Sequence, residues 1–272
     1  MKGLILRQFK TPHLRDRIEH WNKQGKLLPI SASQTFRGFY VFLTRANPPL
    51  IWIDGEHDDG EWSLANLRAA VCAAENTETL LMVRPKRADT QDVRTILDFG
   101  ADGIMFPQLS NPEQVRAAIS LTKYKTKSFP AGNRGFGGVM ANHFDESDPD
   151  YPDRANSNIF CSVQIETREA VENIDAIVEV PGIDMLFVGP GDLAMQLGTP
   201  GNQQSDEMMA ALKKILKAAA HNNLPVATTP IFGRAPEDLQ KLKRLGFAAS
   251  VYAGDIGLVV AGCALPEQLP VT

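Results

Sequence analysis

This 272-residue chain has little cysteine, no long apolar run and no block of basic residues, and each shortage narrows the possible functions. Its three cysteines, Cys72, Cys161 and Cys263, are widely spaced and form no CxxC pair. That argues against a zinc knuckle or a disulfide framework and makes a reducing compartment the simpler setting. No segment approaches the roughly 20 apolar residues needed to cross a bilayer. The opening Met1-Lys2-Gly3-Leu4-Ile5-Leu6-Arg7 meets a charge too soon to be a signal peptide. A cytoplasmic protein without a membrane partner is therefore expected. Without a Lys/Arg cluster, and with a net charge of −4, no nucleic-acid surface is expected either.

What remains is an ordinary globular composition, 43% hydrophobic and 22% charged. Short apolar runs alternate with longer helical patterns along nearly the whole length. Strands are predicted at Leu27–Ser31, Leu50–Asp54, Thr79–Arg84, Asp102–Phe106, Ile159–Glu166, Asp184–Val188, Pro225–Thr228 and Phe247–Val251. Helical patterns fall at about 35–46, 63–75, 90–99, 111–121, 167–179, 205–222 and 235–245, with a short apolar segment at 255–263. The strands are continuously apolar rather than alternating, as in a parallel sheet buried on both faces. Eight strand–helix units in a chain of this length predict one α/β domain over 1–272, a closed (β/α)8 barrel. Gly100 and Gly246 punctuate helix ends, and Asn111-Pro112 opens a helix.

The stretch from Phe129 to Asn158 departs from this rhythm. It is rich in Gly, Pro, Asp and Asn and lacks clear periodicity. Loops of that length inside a compact barrel are often lids or binding loops. Here it follows the fourth unit's helix, so it is expected to rise from the lower face and to carry short inserted helices.

Residues capable of chemistry gather at strand ends. Asp54, Glu56 and His57 lie at and after the second strand, Arg84 ends the third, Glu166 ends the fifth, and Asp192 follows the sixth. In a barrel all of these converge on the C-terminal face, where barrel enzymes keep their active sites. Singly, each has a duller reading. Asp192 suits a turn after Gly-Pro-Gly, His57 a surface histidine and Arg84 a structural ion pair, while a strand-end acid is often a helix cap. Thr167 can cap the next helix, however, which frees Glu166. Together, Glu166 and Asp192 suit a hard, oxygen-preferring cation such as Mg²⁺ or Mn²⁺. Arg84 would add a permanently charged donor to a substrate oxygen, and His57 would move a proton. The His57 ring needs a carboxylate to orient it, for which Asp54 and Asp98 are the candidates.

These motifs resemble the class II pyruvate aldolases of the HpcH/HpaI aldolase/citrate lyase superfamily, over about Trp52 to Leu258. They are Ile53-Asp54-Gly55-Glu56-His57, Val83-Arg84-Pro85, Ile96 to Met105, Pro130 to Gly135, Gln164-Ile165-Glu166-Thr167, Val188 to Leu193 and Ala253-Gly254-Asp255. The resemblance implies a TIM barrel of the phosphoenolpyruvate/pyruvate-binding type that cleaves or forms a 4-hydroxy-2-oxo acid through a pyruvate enolate. Its partners would be a small 2-oxo acid and an aldehyde, and its cofactor Mg²⁺, Mn²⁺ or Co²⁺. By the same resemblance Glu166 and Asp192 hold the metal, and His57 is the base, paired with Asp98 and supported by Asp54. Arg84 polarises the keto group, Gly189, Pro190 and Gly191 hold the substrate carboxylate, and Gln164 and Glu56 support the site. Arg134 either orders the long loop or reaches the acceptor, the first being favoured. A trimeric or hexameric homo-oligomer is also implied, although the short C-terminus weighs against the exchange of a last helix between subunits. The first strand and helix match the family poorly, and Arg45 to Pro49 replaces its usual turn.

Two other readings compete: a CoA-thioester lyase of the citrate lyase type, and a non-catalytic barrel that binds an oxo acid. Retention of His57, Arg84, Glu166 and Asp192 together favours catalysis. The acids Asp145, Glu146, Asp148, Asp150 and Asp153 in the long loop lead to the expectation that a strongly anionic acceptor is disfavoured.

Overall fold

The structure is a computed structural model that describes residues 13–57, 60–87 and 89–263. The readings on Met1–Arg7 and on the C-terminus beyond 263 lie outside the described residues. Eight parallel strands close into a barrel in sequence order: β1 (Leu28–Ser33), β2 (Leu50–Asp54), β3 (Leu80–Arg84), β4 (Gly103–Phe106), β5 (Phe160–Ile165), β6 (Met185–Val188), β7 (Val226–Thr228) and β8 (Ala249–Gly254), with β8 returning to β1. Strands β2 to β7 are buried at every position, so their side chains meet apolar partners on both faces. One set, including Leu50, Trp52, Met82, Met105, Phe160, Met185 and Phe187, fills the interior. The alternate set, including Ile51, Ile53, Leu81, Val83 and Val163, packs outward on the helices.

The helices follow the caps that the sequence offers. Ser63 opens α3 (Leu64–Ala74), Asp89 opens α4 (Thr90–Phe99) and Asn111 opens α5 (Pro112–Thr122), each side chain accepting a first-turn backbone N–H. Gly100, at φ +103°, closes α4 in the left-handed region, where a Cβ would be strained. Between β1 and β2, α2 (Phe36–Val41) runs into a π turn that ends at Asn47.

Three elements differ from expectation. An N-terminal helix, α1 (Leu14–Lys23), was missed because its few apolar residues stand among charges; Leu14 and Ile18 enter the interior cluster from it. The predicted helix 167–179 is two pieces, α7 (Arg168–Glu172) and α8 (Ile174–Ile177), broken at Asn173, whose side chain donates to the Ser110 carbonyl. After β6, Gly-Pro-Gly-Asp does not end as a turn but opens α9 (Pro190–Gln196), with Pro190 in the first helical position. The remaining helices of the ring are α10 (Asp206–His221), α11 (Pro236–Leu245) and α12 (Asp255–Gly262), if the loop helix between α5 and β5 is counted as α6 (Tyr151–Asn158).

The long loop carries a 3-10 turn at Met140–Asn142 as well as α6. Because helices run antiparallel to the strands, the C-terminal ends of α3, α4 and α5 mark the lower face, and the loop stays there. His143 meets Glu75 just past α3, and Arg134 donates to Asp98 in the last turn of α4. The Arg134 guanidinium lies 4.5 Å over the Tyr124 ring and its side chain is wholly buried. In this structure Arg134 therefore orders the loop. The loop acids answer to neighbours there, Asp145 to Ser147, Asp148 to Arg154 and Asp153 to Ser128, so none of these three faces the strand-end residues. Within the chain, these three acids give no support to the expectation about an anionic acceptor.

Candidate active site

Period-2 alternation decides which strand-end side chains enter the site. Trp52 and Met82 point inward, so Asp54 and Arg84, two residues further on and paired in register, also point inward at the mouth. They form a forked pair: Arg84 Nε donates to Asp54 Oδ1 at 2.8 Å and Nη2 to Oδ2 at 2.7 Å. The guanidinium rests 4.8 Å above the Trp52 ring, which in turn packs at 5.3 Å from Phe187. Asp54 Oδ1 also accepts the backbone N–H groups of Glu56 and His57, so this carboxylate shapes the turn after β2 as well as holding Arg84.

The free side of Arg84 faces across the mouth. Its Nη1 lies 2.8 Å from Glu56 Oε2 and 3.3 Å from Gln164 Oε1. Gln164 is the inward residue of β5 above Phe160 and Ser162, and its amide nitrogen donates to Glu166 Oε2. The other Glu166 oxygen accepts the Gln108 N–H at 2.8 Å, while the Gln108 side chain donates to Glu56 Oε1 at 3.2 Å. Asp54, Glu56, Arg84, Gln108, Gln164 and Glu166 thus form one continuous hydrogen-bonded ring segment over the barrel.

Glu166 is the electrostatic focus. Burial pushes its carboxyl up to about 7; the Gln108 N–H opposes this, the negative charges of Asp192 and Glu56 add to it, and Arg84 pulls it back. Asp192 lies in the first turn of α9, exposed, and its carboxylate accepts no hydrogen bond from another described residue. Gly189 makes the close approach possible: a Cβ there would stand 2.7 Å from Glu166 Oε2 and 2.8 Å from the Gln164 amide nitrogen. Thr167 caps α7 through the Ala170 N–H, so Glu166 is free of that duty, as its sequence setting predicts.

A divalent ion fits this donor set. Glu166 is ionisable but held partly protonated by burial and by two nearby acids, one of which, Asp192, has no hydrogen-bond or ion-pair partner among the described residues. Among the described residues, no group of three or more His, Cys, Asp or Glu side chains converges on one point. A two-carboxylate site of this kind leaves most positions to water and ligand oxygens, which suits Mg²⁺-like ions.

Other expected residues stand apart. The His57 side chain is exposed and makes no hydrogen bond with another described residue; only its backbone is tied, through its N–H to Asp54 and its carbonyl to the Gln34 amide at 2.8 Å. Asp98 is not brought to His57 within the chain. It sits at the lower face, between Arg94 and Arg134. Gly189 and Pro190 are buried at the start of α9, while Gly191 is exposed with open space where a Cβ would stand. Two residues of the site escaped the sequence reading. Gln108 follows β4 in left-handed backbone, φ +56°, and the strand-end rule that found the others applies to it equally. Asp255, quoted only as part of a motif, accepts from Ser33 Oγ and from the backbone N–H groups of Gln34 and Thr35, pinning the β1 corner to β8.

Fold and site together define a parallel eight-stranded barrel with an acidic, arginine-bearing centre at its C-terminal mouth. The chain belongs to the HpcH/HpaI aldolase/citrate lyase family, whose model matches residues 50–260. It is 35% identical over 165 residues to a 4-hydroxy-2-oxo-heptane-1,7-dioate aldolase of Salmonella dublin, 60% of each chain. It is 34% identical over 174 residues to the protein of that name from Shigella flexneri, 63% of each. The matched part therefore spans under two thirds of these curated relatives. An HpcH/HpaI aldolase from Desulfitobacterium hafniense shares the fold, with a TM-score of 0.80 at 24% identity over 95% of this chain and 98% of that one. Macrophomate synthase aligns with a TM-score of 0.74 at 26% identity over 92% and 87%.

Proposed function

We propose that this protein is a metal-dependent aldolase that cleaves or forms a 4-hydroxy-2-oxo acid through a pyruvate-type enolate. The observation that carries the reading is the joining of Arg84, Gln164 and Glu166 at the barrel mouth, with the charge of Asp192, unpaired among the described residues, acting on Glu166. Family membership and the names of the relatives point the same way.

Glu166 and Asp192 would hold the ion, which when bound supplies positive charge to the keto and carboxylate oxygens of the oxo acid. Arg84, fixed by Asp54 and by the indole face of Trp52, is a rigid donor for the keto oxygen as negative charge develops there. In the cleavage direction a base takes the proton of the C4 hydroxyl, the C3–C4 bond breaks, and its electron pair moves into the C2 carbonyl as the aldehyde leaves. Protonation at C3 then yields the free oxo acid. His57, on the turn shaped by Asp54, is assigned the proton transfer. The N–H groups at the opening of α9, around Gly189 to Gly191, are assigned the substrate carboxylate. Asp98 can support His57 only across a contact between two copies of the chain, because within one chain it faces Arg134.

A homo-oligomer belongs to the same reading, a trimer or hexamer by resemblance. Its support is α12, whose Ile256, Leu258, Val259 and Val260 are all exposed, beside exposed Tyr252. The activity is tested by incubating metal-stripped and Mn²⁺-restored protein with 4-hydroxy-2-oxoheptanedioate and measuring pyruvate release. Release only with metal, absent in Asp192→Ala, is expected; equal release without metal, or none in either case, would overturn the reading.

A further inference from the structure

Arg84 is served by two carboxylates, and they do different things. Asp54 meets it in the planar, two-bond arrangement that fixes a guanidinium, and the indole of Trp52 supports it from below. That alone orients Arg84. Glu56 takes the one nitrogen that Asp54 leaves, Nη1, at 2.8 Å. This nitrogen also contacts Gln164, the neighbour of Glu166, so it is the edge of Arg84 turned toward the place where a ligand of Glu166 would lie. Glu56 in turn is held from its other oxygen by the Gln108 amide at 3.2 Å. The pair is largely withdrawn from water, with side-chain exposures of 4% for Arg84 and 14% for Glu56, so its attraction is only weakly screened.

From this geometry we infer that Glu56 is an internal anion that occupies the ligand-facing edge of Arg84 and is displaced by an oxygen of the incoming oxo acid. Gln108 sets how firmly it is held. Glu56 is then a positioning residue that acts through Arg84 and makes affinity for the 2-oxo acid weaker than the site could reach. Such competition is an exchange of one anion for another on one guanidinium. Displacement takes Glu56 off both Arg84 Nη1 and the Gln108 amide, while Arg84 keeps Asp54. Removing the charge of Glu56 while keeping its shape relieves the competition, and shortening the Gln108 side chain relieves part of it. The inference rests on the proposed reading that an oxo acid binds between Arg84 and Glu166.

The test is the affinity for oxalate and pyruvate, measured by isothermal titration calorimetry at saturating Mn²⁺ in wild type, Glu56→Gln and Gln108→Asn. Asn is chosen at 108 because it tolerates the left-handed backbone while its amide is one carbon shorter. Mn²⁺ affinity and the thermal midpoint of each variant are recorded separately, so that altered metal loading or folding is not read as altered ligand affinity. The expected result is oxalate bound about tenfold more tightly by Glu56→Gln, with a smaller gain of the same sign in Gln108→Asn. Equal or weaker binding by Glu56→Gln, with wild type binding normally, would overturn the proposal and make Glu56 a support of the Arg84 geometry instead. Oxalate and pyruvate bound by none of the three proteins would remove the oxo-acid site itself, and this proposal with it.

Discussion

At Glu166, burial works against ionisation more strongly than any neighbour favours it, and the carboxyl is held up to about 7 from an ordinary value of 4.5. The sign of the consequence is fixed by linkage. Between those two values the folded protein binds more protons at this residue than the unfolded chain does, so without metal its contribution to stability is greatest below about 4.5. That contribution is lost as the pH rises through about 7. Metal-free protein is therefore expected to melt at a lower temperature at pH 8 than at pH 5.5, relative to Glu166→Gln, which has no proton to lose there. Divalent metal should raise the melting temperature of wild type most above pH 7, where the carboxylate is free to bind it. Parallel pH profiles for the two metal-free proteins would contradict the assignment. Arg84→Lys keeps the charge but loses the fork to Asp54, and about a hundredfold loss in kcat is expected from steady-state kinetics. Both acids and Arg84 were legible in the sequence because strand ends in a barrel point to one mouth. Gln108 also follows a strand end, but an amide there points to no particular chemistry until the left-handed backbone turns its N–H onto Glu166.

Among the elements, the opening of α9 has the tightest tolerance. Gly189 brings that turn against Glu166 and Gln164 with no room for a methyl group. Gly189→Ala should leave the barrel folded by circular dichroism yet weaken Mn²⁺ binding tenfold or more by calorimetry; unchanged binding would show that α9 does not set the position of Glu166. This helix was unreadable as a helix because Gly-Pro-Gly-Asp matches a turn as well as a first helical turn, and only packing on Leu193 and Ala194 decides between them. Strands β2 to β7 were readable to within one residue at each end, since continuous apolar runs have no competing local structure, whereas β1 runs two residues past its predicted end and β8 starts two and ends three residues later than predicted. The break at Asn173 was not, because it depends on a bond to Ser110, 63 positions away.

Across the whole molecule, the two ends of the barrel have separate tasks. The mouth holds the acidic centre, and the lower face is closed by α1 and by the long loop folded onto the ends of α3 to α5. Among the described residues, no helix is long and apolar enough to cross a membrane. Sequence alone could not place the loop: its acids suggested a role at the mouth, and the His143–Glu75 contact and the Arg134–Asp98 pair beside Tyr124 show where it lies. Asp98→Ala leaves the fully buried Arg134 guanidinium without its carboxylate, which costs about 3 kcal/mol in a denaturant titration. A change below about 0.5 kcal/mol would contradict a structural role for that pair.

Enolate chemistry at a metal held by Glu166 and Asp192 can be tested without knowing the aldehyde. Exchange of pyruvate methyl protons for deuterium, followed by NMR, compares metal-stripped protein, protein restored with Mn²⁺ or Mg²⁺, and Asp192→Ala. Exchange is expected to appear with metal and to vanish in the variant. Exchange that is the same with and without metal, or undiminished in Asp192→Ala, would contradict it.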